Sequence, residues 1–535
     1  MKRWSIVLVG IMLGFSSLAH AAGGAIAGSV KDPSGAPFKG AFVRARNAQT
    51  TLTMHVLSDP QGKYRMEGLP FGDYEVSIRA VGYRSEPKSG VKLSSETPVS
   101  LDFALQKSIV RWTDLSDYQM RELLPEGKGK EEVVGRCTAC HGLQSRMAST
   151  RRDEAGWKRS VDFMRNPQTG VGYFLTNFTD EQAANTVAYL TNVFGVDSEL
   201  PRSPAELPQY EKLRKSFSDQ ALNIVYVDYE LGPSRFAWNA APDNKGSAWM
   251  PYYGNGNRIG KLNLETGKVE EFRTPEPNSA GVHSAMAGPD GTVWFTQQAT
   301  GKLGKYDPRT GQVTEHRQAQ TMAPDGKPRR LSRHTVRVDS KGMVWTTGSP
   351  VTRYDPKTDK FTEFWEEAPG AYGIALDKED NVWLAVRQGK GNITKIDGKT
   401  LKVTKWNPPS RPRRIQVDAE GMVWYGGYDH GTIGRFDPKT ETFKEYPLPG
   451  PSPTAYALAL DGQGYIWYSS RDTDILGRVD PKTGEVIEYP FPYAENTSRD
   501  YFTDAQGRVW FTSPANSKAG YLYVRSGTPM TVANR

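Results

Sequence analysis

Short runs of alternating hydrophobic and polar residues fill the part of the chain that follows residue 23. Runs of strand length occur at 26–30, 41–45, 74–78 and 101–105, and turns rich in Pro and Gly separate them. Short strands at this spacing are typical of a small β-sandwich. We therefore predict a β-sandwich domain over residues 22–107.

The pattern becomes helical after this domain. Trp157, Val161 and Met164 recur at i, i+4 and i+7, which predicts one apolar face of an amphipathic helix. The segment 179–182 (Thr-Asp-Glu-Gln) has the composition of a helix start, with acidic residues in the first turn. We assign residues 108–200 to a small all-α domain.

A repeat dominates the rest of the chain. A tryptophan recurs every 38 to 51 residues, each time followed by a strand, a turn and a further aromatic strand. Units of about 40 residues with four short strands are typical of β-propeller blades, so seven copies predict a seven-bladed propeller over residues 221–535. Residues 223–229 are expected to supply the outer strand of the last blade, and residues 201–220, with three prolines, are interpreted as a linker. The repeated residues are Trp249, Trp294, Trp345, Trp383, Trp424, Trp467 and Trp510. The predicted fold class is thus multidomain and mainly β.

The N-terminus carries a targeting pattern. Lys2 and Arg3 precede an apolar run at 5–18, and an A-x-A cleavage site ends at Ala21. We interpret residues 1–21 as a secretory signal peptide. The apolar run is shorter than the ~20 residues of a membrane span, and no later segment meets that length. We expect a periplasmic protein with no transmembrane segment in the mature chain.

Composition and charge narrow the function classes. The chain has 535 residues, 37 % hydrophobic and 24 % charged, which excludes a disordered, collagenous or multi-span membrane protein. The formal net charge of +8 is spread along the chain, and no basic run points to nucleic acid. A mild positive excess helps to dock an acidic redox partner or to attract an anionic substrate.

The only two cysteines lie in one motif, Cys137-Thr138-Ala139-Cys140-His141. The pattern C-x-x-C-H is typical of c-type haem attachment, in which both thiols bond to the haem and the histidine is the proximal iron ligand. A thioredoxin-like redox pair would be expected in a βαβ setting. A zinc site would need two more ligands, which the helical zone does not offer. The sequence therefore predicts one covalent haem c and no disulfide.

The surroundings of this motif resemble small class I cytochromes c, from 127–142 through the helices that follow. The resemblance implies an electron-transfer domain with His141 as proximal ligand. A methionine is then the expected sixth ligand, because no second histidine is available in this zone. Met164 is the first candidate and Met147 the second, and an open or water-bound position is the alternative.

Two further resemblances concern the β domains. The segments 28–30, 58–64 and 68–74 resemble the carboxypeptidase regulatory-like, prealbumin-type domain, which implies a non-catalytic accessory module. The segments 291–296 and 421–424, each with the strand that follows, resemble the propeller of the virginiamycin B (streptogramin) lyase family. That resemblance implies a propeller fold, but fold alone does not carry function.

In that lyase family a catalytic histidine stands eleven residues before a blade tryptophan, with carboxylates two residues before the histidine and three after the tryptophan. In this chain neither carboxylate position holds an acid in any blade, which argues against the inherited lyase reaction. The residues eleven before the tryptophans, here called the funnel ring, are expected to point into the central funnel. They are Trp238, His283, His334, Tyr372, Arg413, Tyr456 and Arg499.

We predict that six members of the funnel ring form a site for a small anionic or phenolic substrate, because arginine is a permanently charged donor suited to anions. Either His283 or His334 is the expected proton acceptor. Arg333, Arg414 and Tyr501 adjoin the ring in sequence. Two alternatives stay open: the arginines and tyrosines pair with blade carboxylates and seal the channel, or the two histidines bind copper or iron. The predicted catalytic set is His283, His334, Tyr372, Arg413, Tyr456 and Arg499.

These features together predict an exported haem c oxidoreductase or electron-transfer protein. Its propeller would bind a small-molecule substrate, and its haem would relay electrons to or from a periplasmic redox partner. A second hypothesis is a lyase-like C–O lyase with an accessory haem. A third is a non-enzymatic binding scaffold whose haem reports redox state.

Overall fold

The computed structural model describes residues 23–139, 141–166, 177–254, 256–276, 281–319, 321–323 and 325–525. Over these residues the chain forms a β-sandwich, a helical segment and a ring of β-sheets, in that order. The predicted signal peptide at 1–21 lies outside the described residues. No helix within the described ranges has the length and apolar character needed to cross a membrane.

Ten strands form the N-terminal domain, as the alternating pattern predicts. Its core packs Ile26, Val43, Met54, Leu69 and Val76 between two layers, and each of these side chains is buried. One layer has the order β4-β1-β8, and the other contains β3-β2-β5-β7. The strands are β1 (Gly24–Lys31), β2 (Phe42–Asn47), β3 (Thr53–Leu57), β4 (Lys63–Leu69), β5 (Gly72–Arg79), β6 (Tyr83–Arg84), β7 (Lys88–Leu93), β8 (Val99–Ser100), β9 (Phe103–Ala104) and β10 (Gln106–Lys107).

The helical segment follows, and its helices begin where capping residues stand. Thr179 caps one helix and forms a capping box with Gln182, which confirms the predicted start. Trp157 and Val161 are buried on the apolar face of another helix. The stretch expected to be a linker holds a 3₁₀ turn and a short helix, and Tyr210 there is buried in the helical core. The helices are α1 (Asp117–Leu123), α2 (Lys130–Gly135), α3 (Glu154–Arg165), α4 (Asp180–Phe194) and α5 (Tyr210–Leu213).

The rest of the described chain forms a seven-bladed propeller. Six blades are four-stranded antiparallel sheets of consecutive strands. The innermost strand of each blade contacts that of the next, and the last contacts the first, which closes the ring. Blades 1 to 3 contain β12 (Ala241–Pro242), β13 (Ser247–Tyr252), β14 (Arg258–Asn263), β15 (Val269–Arg273), β16 (Val282–Ala287), β17 (Val293–Gln297), β18 (Lys302–Asp307), β19 (Gln312–His316), β20 (Ser332–Val338), β21 (Val344–Ser349), β22 (Val351–Asp355) and β23 (Lys360–Phe364).

Blades 4 to 7 repeat this arrangement, and every blade tryptophan lies on the second strand of its sheet. Their strands are β24 (Ala371–Leu376), β25 (Val382–Val386), β26 (Asn392–Ile396), β27 (Val403–Trp406), β28 (Pro412–Val417), β29 (Val423–Gly427), β30 (Thr432–Asp437), β31 (Thr442–Pro447), β32 (Leu458–Leu460), β33 (Ile466–Ser470), β34 (Ile475–Val479), β35 (Val486–Pro490), β36 (Phe502–Thr503), β37 (Val509–Ser513) and β38 (Lys518–Val524).

The seventh blade is completed by a strand from the other end of the propeller. Strand β11 (Ile224–Glu230) pairs antiparallel with β38 from Ile224↔Val524 to Glu230↔Lys518, as predicted for residues 223–229. The other edge of β11 pairs with β3 of the sandwich. The result is one eight-stranded sheet shared by blade 7 and the sandwich, so that β11 has no exposed edge.

The blade tryptophans are held by a recurring acid. In blades 3 to 7 an aspartate six residues earlier accepts a hydrogen bond from the indole N–H, at 2.8 Å for Asp418 and Trp424. The other oxygen of Asp418 accepts the backbone N–H of Met422, also at 2.8 Å. One side chain therefore closes the turn and satisfies the donor of a buried aromatic ring.

We expect Asp418→Ala to lower the free energy of unfolding by about 2 kcal/mol, because the buried Trp424 N–H would lose its acceptor. Denaturant unfolding followed by tryptophan fluorescence measures the change. Asp437→Ala is the matched control, since Asp437 closes an exposed turn of the same blade and accepts from the backbone of Lys439. Its effect should stay within about 0.5 kcal/mol. Equal losses of unfolding free energy in the two variants would contradict a stabilising role of the hydrogen bond between the Trp424 indole and Asp418.

Candidate functional site

All seven residues of the funnel ring line one cavity of about 340 Å³ at the centre of the propeller. Four of them lie on innermost strands: His283 on β16, His334 on β20, Tyr372 on β24 and Arg413 on β28. The other three lie just before β12, β32 and β36. The ring therefore collects one side chain from each blade.

The ring side chains contact one another around most of the cavity. The Trp238 and His283 ring centroids are 4.6 Å apart, and those of His283 and His334 are 3.7 Å apart. His334 lies 4.1 Å from Tyr372, whose hydroxyl forms a short hydrogen bond with that of Tyr456. The cavity wall is thus a nearly continuous belt of aromatic rings.

Arginine completes the belt. The guanidinium carbon of Arg499 lies 4.9 Å from the Tyr456 ring and 5.1 Å from the Trp238 ring. That of Arg413 lies 4.2 Å from the Tyr456 ring. These distances are in the range of cation–π contacts, which fix the cations against the aromatic wall.

A second set of residues at or beside the cavity was not predicted from the sequence. These residues follow a blade tryptophan by four positions, one further than the carboxylate position of the lyase family. Arg387, Gln298 and Ser349 line the cavity, and Tyr253 and Tyr428 pack against ring members. The signal was available, since all of them follow a blade tryptophan by four residues.

The cavity is cationic. Arg387, Arg413 and Arg499 line it, and no carboxylate is among the described lining residues. Arg411 pairs with Asp429, and Arg414 lies 3.8 Å from Asp500, whereas no ion pair of Arg413 occurs within the described residues. The expectation that blade carboxylates neutralise the arginines therefore fits Arg411 and Arg414 better than Arg413. A cluster of guanidinium groups favours an anionic ligand.

The two histidines are neutral imidazoles in contact. Burial, together with Arg414 and Arg499, lowers the pKa of His283 well below its ordinary value. Burial, His283 and Arg414 do the same for His334. Within the described residues no group of three His, Cys, Asp or Glu side chains is arranged to hold a metal ion. The predicted extra metal in the funnel stays a prediction that rests on these two side chains.

Three residues that adjoin the ring in sequence do not line the cavity. Arg333 is buried, and its guanidinium donates to the Gly301 carbonyl and to the Thr346 hydroxyl. Arg414 lies behind the ring and donates to Thr335. Tyr501 is buried in the core between blades 6 and 7. Strand alternation explains the difference for Arg333 and Arg414, because each is next to a ring member on its strand and neighbouring residues point to opposite faces.

A second cavity of about 510 Å³ continues from the first. The two share Gly348, Ser349, Gly370 and Arg387, and the second passes beside Trp365. It lies between blades 3 and 4, away from the helical segment. The second cavity therefore extends the first toward the space between these two blades.

The cysteine motif contacts the funnel directly. Ala139, in the middle of the motif, lines the first cavity. Its carbonyl accepts a hydrogen bond from Arg499 at 2.6 Å, although the two residues are 360 positions apart in the chain. Cys137 begins a 3₁₀ turn (Cys137–Ala139) and is half-buried, and Cys140 lies outside the described residues.

Buried acidic side chains hold the segment that follows the motif. Glu495 accepts the backbone N–H groups of Gly142, at 2.8 Å, and of Ser145, at 2.9 Å. Asp117 accepts that of Leu143 at 2.8 Å. Burial and the nearby charge of Asp474 raise the pKa of Asp117 to about 8. The bond of Asp117 lies within the helical segment, whereas those of Glu495 fix this segment on the propeller between blades 6 and 7 and are here called the carboxylate clamp.

His141 is buried directly before this clamp. Its Nδ1 donates to the Gly142 carbonyl at 2.8 Å, since a carbonyl can only accept. Of the two candidate sixth ligands, Met147 is buried in the helical core and Met164 is half-buried on α3.

Comparison with known proteins agrees with the two β domains. Residues 360–529 match the Virginiamycin B lyase family, and residues 25–106 match the Carboxypeptidase regulatory-like domain. A streptogramin B lyase structure is similar over 58 % of this chain and 100 % of its own, with 22 % identity and a TM-score of 0.50. A virginiamycin B lyase from Staphylococcus aureus is similar over 56 % and 98 %, with 21 % identity and a TM-score of 0.49. No curated protein matches the chain. At this identity the likeness establishes the propeller fold and the accessory domain, but no activity.

We expect Glu495→Ala to release the backbone after the cysteine motif. The amides of Gly142 and Ser145 should exchange with solvent roughly tenfold faster, as expected for the loss of a charge-assisted bond of about 1.5 kcal/mol. Hydrogen exchange followed by mass spectrometry measures this. The matched control is Glu488→Ala, which breaks an ion pair with Lys215 at 2.7 Å and leaves the clamp intact. Unchanged exchange in Glu495→Ala would show that other contacts hold the segment.

Proposed function

We propose that the chain is an exported haem c oxidoreductase or electron-transfer protein whose funnel binds a small anionic or phenolic molecule. One observation carries the proposal. The cavity lined by the funnel ring is also lined by Ala139, which stands between the two cysteines of the C-x-x-C-H motif. A redox group attached there would be next to the bound molecule, and short separation is what electron exchange needs.

The residues of the motif fit a covalent haem. Because Nδ1 of His141 donates to a backbone carbonyl, Nε2 is left as the ligand atom, which is the usual outer-shell arrangement for a metal-bound histidine. Cys137 and Cys140 would hold the group, with Met147 or Met164 as sixth ligand. When bound, haem supplies one-electron oxidation and reduction. A helical cytochrome c domain over 108–200 belongs to the same proposal.

The funnel residues would bind and orient the substrate. Arg387 and Arg413 offer guanidinium groups to a carboxylate or a phenolate, and bidentate pairing fixes the direction of such a group. Trp238 and Tyr372 offer flat faces to an aromatic ring. The ligand would enter past Trp365, because the segment around Ala139 covers another side.

The proposal includes a cellular location and a redox partner, which the N-terminal pattern and the net charge support. The pattern of residues 1–21 supports secretion to the periplasm, where haem c is attached. The net charge of +8 supports association with an acidic redox partner.

The lyase alternative rests on fold likeness. Its reaction in that family uses a divalent cation held by acids, and the described lining of this funnel offers no carboxylate. The residues therefore do not fit that metal site. In the scaffold alternative the sandwich and propeller bind a polymer or a partner protein without turnover, and the haem reports redox state.

Absorption spectroscopy tests the haem. Protein from an export-competent host should show the spectrum of one covalent haem c, and the Cys137→Ala/Cys140→Ala variant should lose it. Anaerobic addition of a phenolic substrate should reduce the haem. If the haem stays oxidised with every substrate class but exchanges electrons with an acidic cytochrome, the protein is an electron carrier only. If the Cys137→Ala/Cys140→Ala variant retains metal-dependent catalytic turnover, the lyase alternative is favoured.

Calorimetric titration with 4-hydroxybenzoate tests the funnel. Arg413→Gln should weaken binding about tenfold, because one charge-assisted contact contributes roughly 1.5 kcal/mol. Arg435→Gln is the control, since Arg435 lies on the third strand of the same blade and packs on Trp424 outside the funnel. Equal affinities in both variants would mean that the anion binds elsewhere.

A further inference from the structure

Two tyrosines face each other across a blade of the propeller. Tyr372 belongs to blade 4 and Tyr456 to blade 6, yet their hydroxyl groups form a hydrogen bond. Blade 5 places Arg413 between them, with its guanidinium carbon 5.1 Å from the Tyr372 ring and 4.2 Å from the Tyr456 ring. A hydrogen-bonded pair of phenols shares its protons and titrates as a unit.

The groups that face this pair are mainly cationic. Arg499 lies 4.9 Å from the Tyr456 ring, and Arg387 and Arg414 lie 5.0 Å and 4.8 Å from the Tyr372 ring. Tyr428 and the neutral His334 complete the surroundings. The carboxylate of Asp500 lies behind Arg414 and is bound by Arg337 at 2.8 Å.

Two opposing effects decide which phenol ionises. Burial disfavours the charged form of both, while a cation within about 5 Å favours it. For Tyr456 burial raises the pKa, but Arg413, Arg499 and Arg414 outweigh it, so the pKa lies well below its ordinary value. Burial and the charge of Tyr456 raise the pKa of Tyr372. Tyr372 therefore keeps its proton and donates it in the hydrogen bond to Tyr456.

We propose that Tyr456 is the proton acceptor of the funnel, as a phenolate held by Tyr372 and the arginines, and that it deprotonates a phenolic or enolic O–H of the bound molecule. The O–H bond of the ligand breaks, its proton moves to the Tyr456 oxygen, and the new negative charge on the ligand oxygen lies among Arg387, Arg413 and Arg499. No oxidant or reductant takes part. The choice of a phenolic ligand rests on the proposed function, but the ionisation of Tyr456 does not depend on a haem.

This assignment differs from the sequence prediction that His283 or His334 accepts the proton. Both imidazoles are neutral and available, but the same arginines that stabilise a phenolate disfavour an imidazolium. Proton transfer to a histidine would add a positive charge to a cavity that already holds three arginines. Transfer to a phenolate removes a negative charge as another forms on the ligand.

Ultraviolet difference titration of the full-length protein tests the resting state. Wild type should show the absorption of one tyrosinate at neutral pH, and Tyr456→Phe should lose it. Tyr468→Phe is the matched control, because the hydroxyl of this buried tyrosine of blade 6 has no hydrogen-bond partner among the described residues and burial raises its pKa. Arg413→Gln should move the titration to higher pH. Equal neutral-pH absorption in wild type and Tyr456→Phe overturns the proposal, as does a signal lost only in Tyr372→Phe.

Binding of 4-nitrophenol below its own pKa tests the transfer, since its phenolate absorbs in the visible range and a difference spectrum cancels the protein. Wild type and Tyr468→Phe should bind it as the phenolate without releasing a proton to solvent. Calorimetry in two buffers measures this proton release. Tyr456→Phe should bind it as the phenol, or ionise it with release of one proton. Ionisation without release in Tyr456→Phe overturns the role of Tyr456. If the tyrosinate is present but 4-nitrophenol does not bind, the ionisation of Tyr456 stands. The phenolic ligand, and with it the proposed function, is then overturned.

Discussion

Strand β11 pairs with β38 over seven residues and, at its other edge, with β3 of the sandwich. Antiparallel pairing joins residues near 224 to residues near 524, so it closes the propeller into a ring. Without closure the innermost strands of blades 1 and 7 would not meet, and the seven side chains of the funnel ring would not surround one cavity. The free edges of a broken ring would also expose unpaired backbone groups. The site therefore depends on a backbone interaction far from its own side chains.

The sandwich extends this closure. Because β3 pairs with the outer strand of blade 7, the accessory domain and the propeller share a sheet and a hydrophobic core. Between blades 6 and 7, the carboxylate clamp of Glu495 fixes the segment that contains His141. The three parts of the chain thus meet on the last two blades. This explains how an alanine of the cysteine motif comes to line a cavity of the propeller.

Much of the fold was predictable because its signals are local and repeated. The blade tryptophans all lie on the second strand, since each one needs a buried position beside a closed turn. The offset of eleven residues led to the funnel ring because each blade repeats the same strand lengths. The ring four residues after each tryptophan was missed, although Arg387 belongs to it and carries charge into the cavity. Arg333 stands beside His334 in sequence, but strand alternation turns it away from the cavity.

The sequence by itself determined the three zones, the closing strand, the C-x-x-C-H motif and the kinds of side chain that line the funnel. Each of these follows from the spacing of residues within one strand, one turn or one repeat. Only the tertiary structure decided that Ala139 lies against Arg499, that β3 extends blade 7, and that Tyr372 reaches Tyr456 across Arg413. These contacts join residues from different domains or blades, and their geometry depends on the curvature of the ring and on how the domains dock. The protonation of the funnel depends on the same contacts, because it is set by the charges that packing brings within a few ångströms of each other.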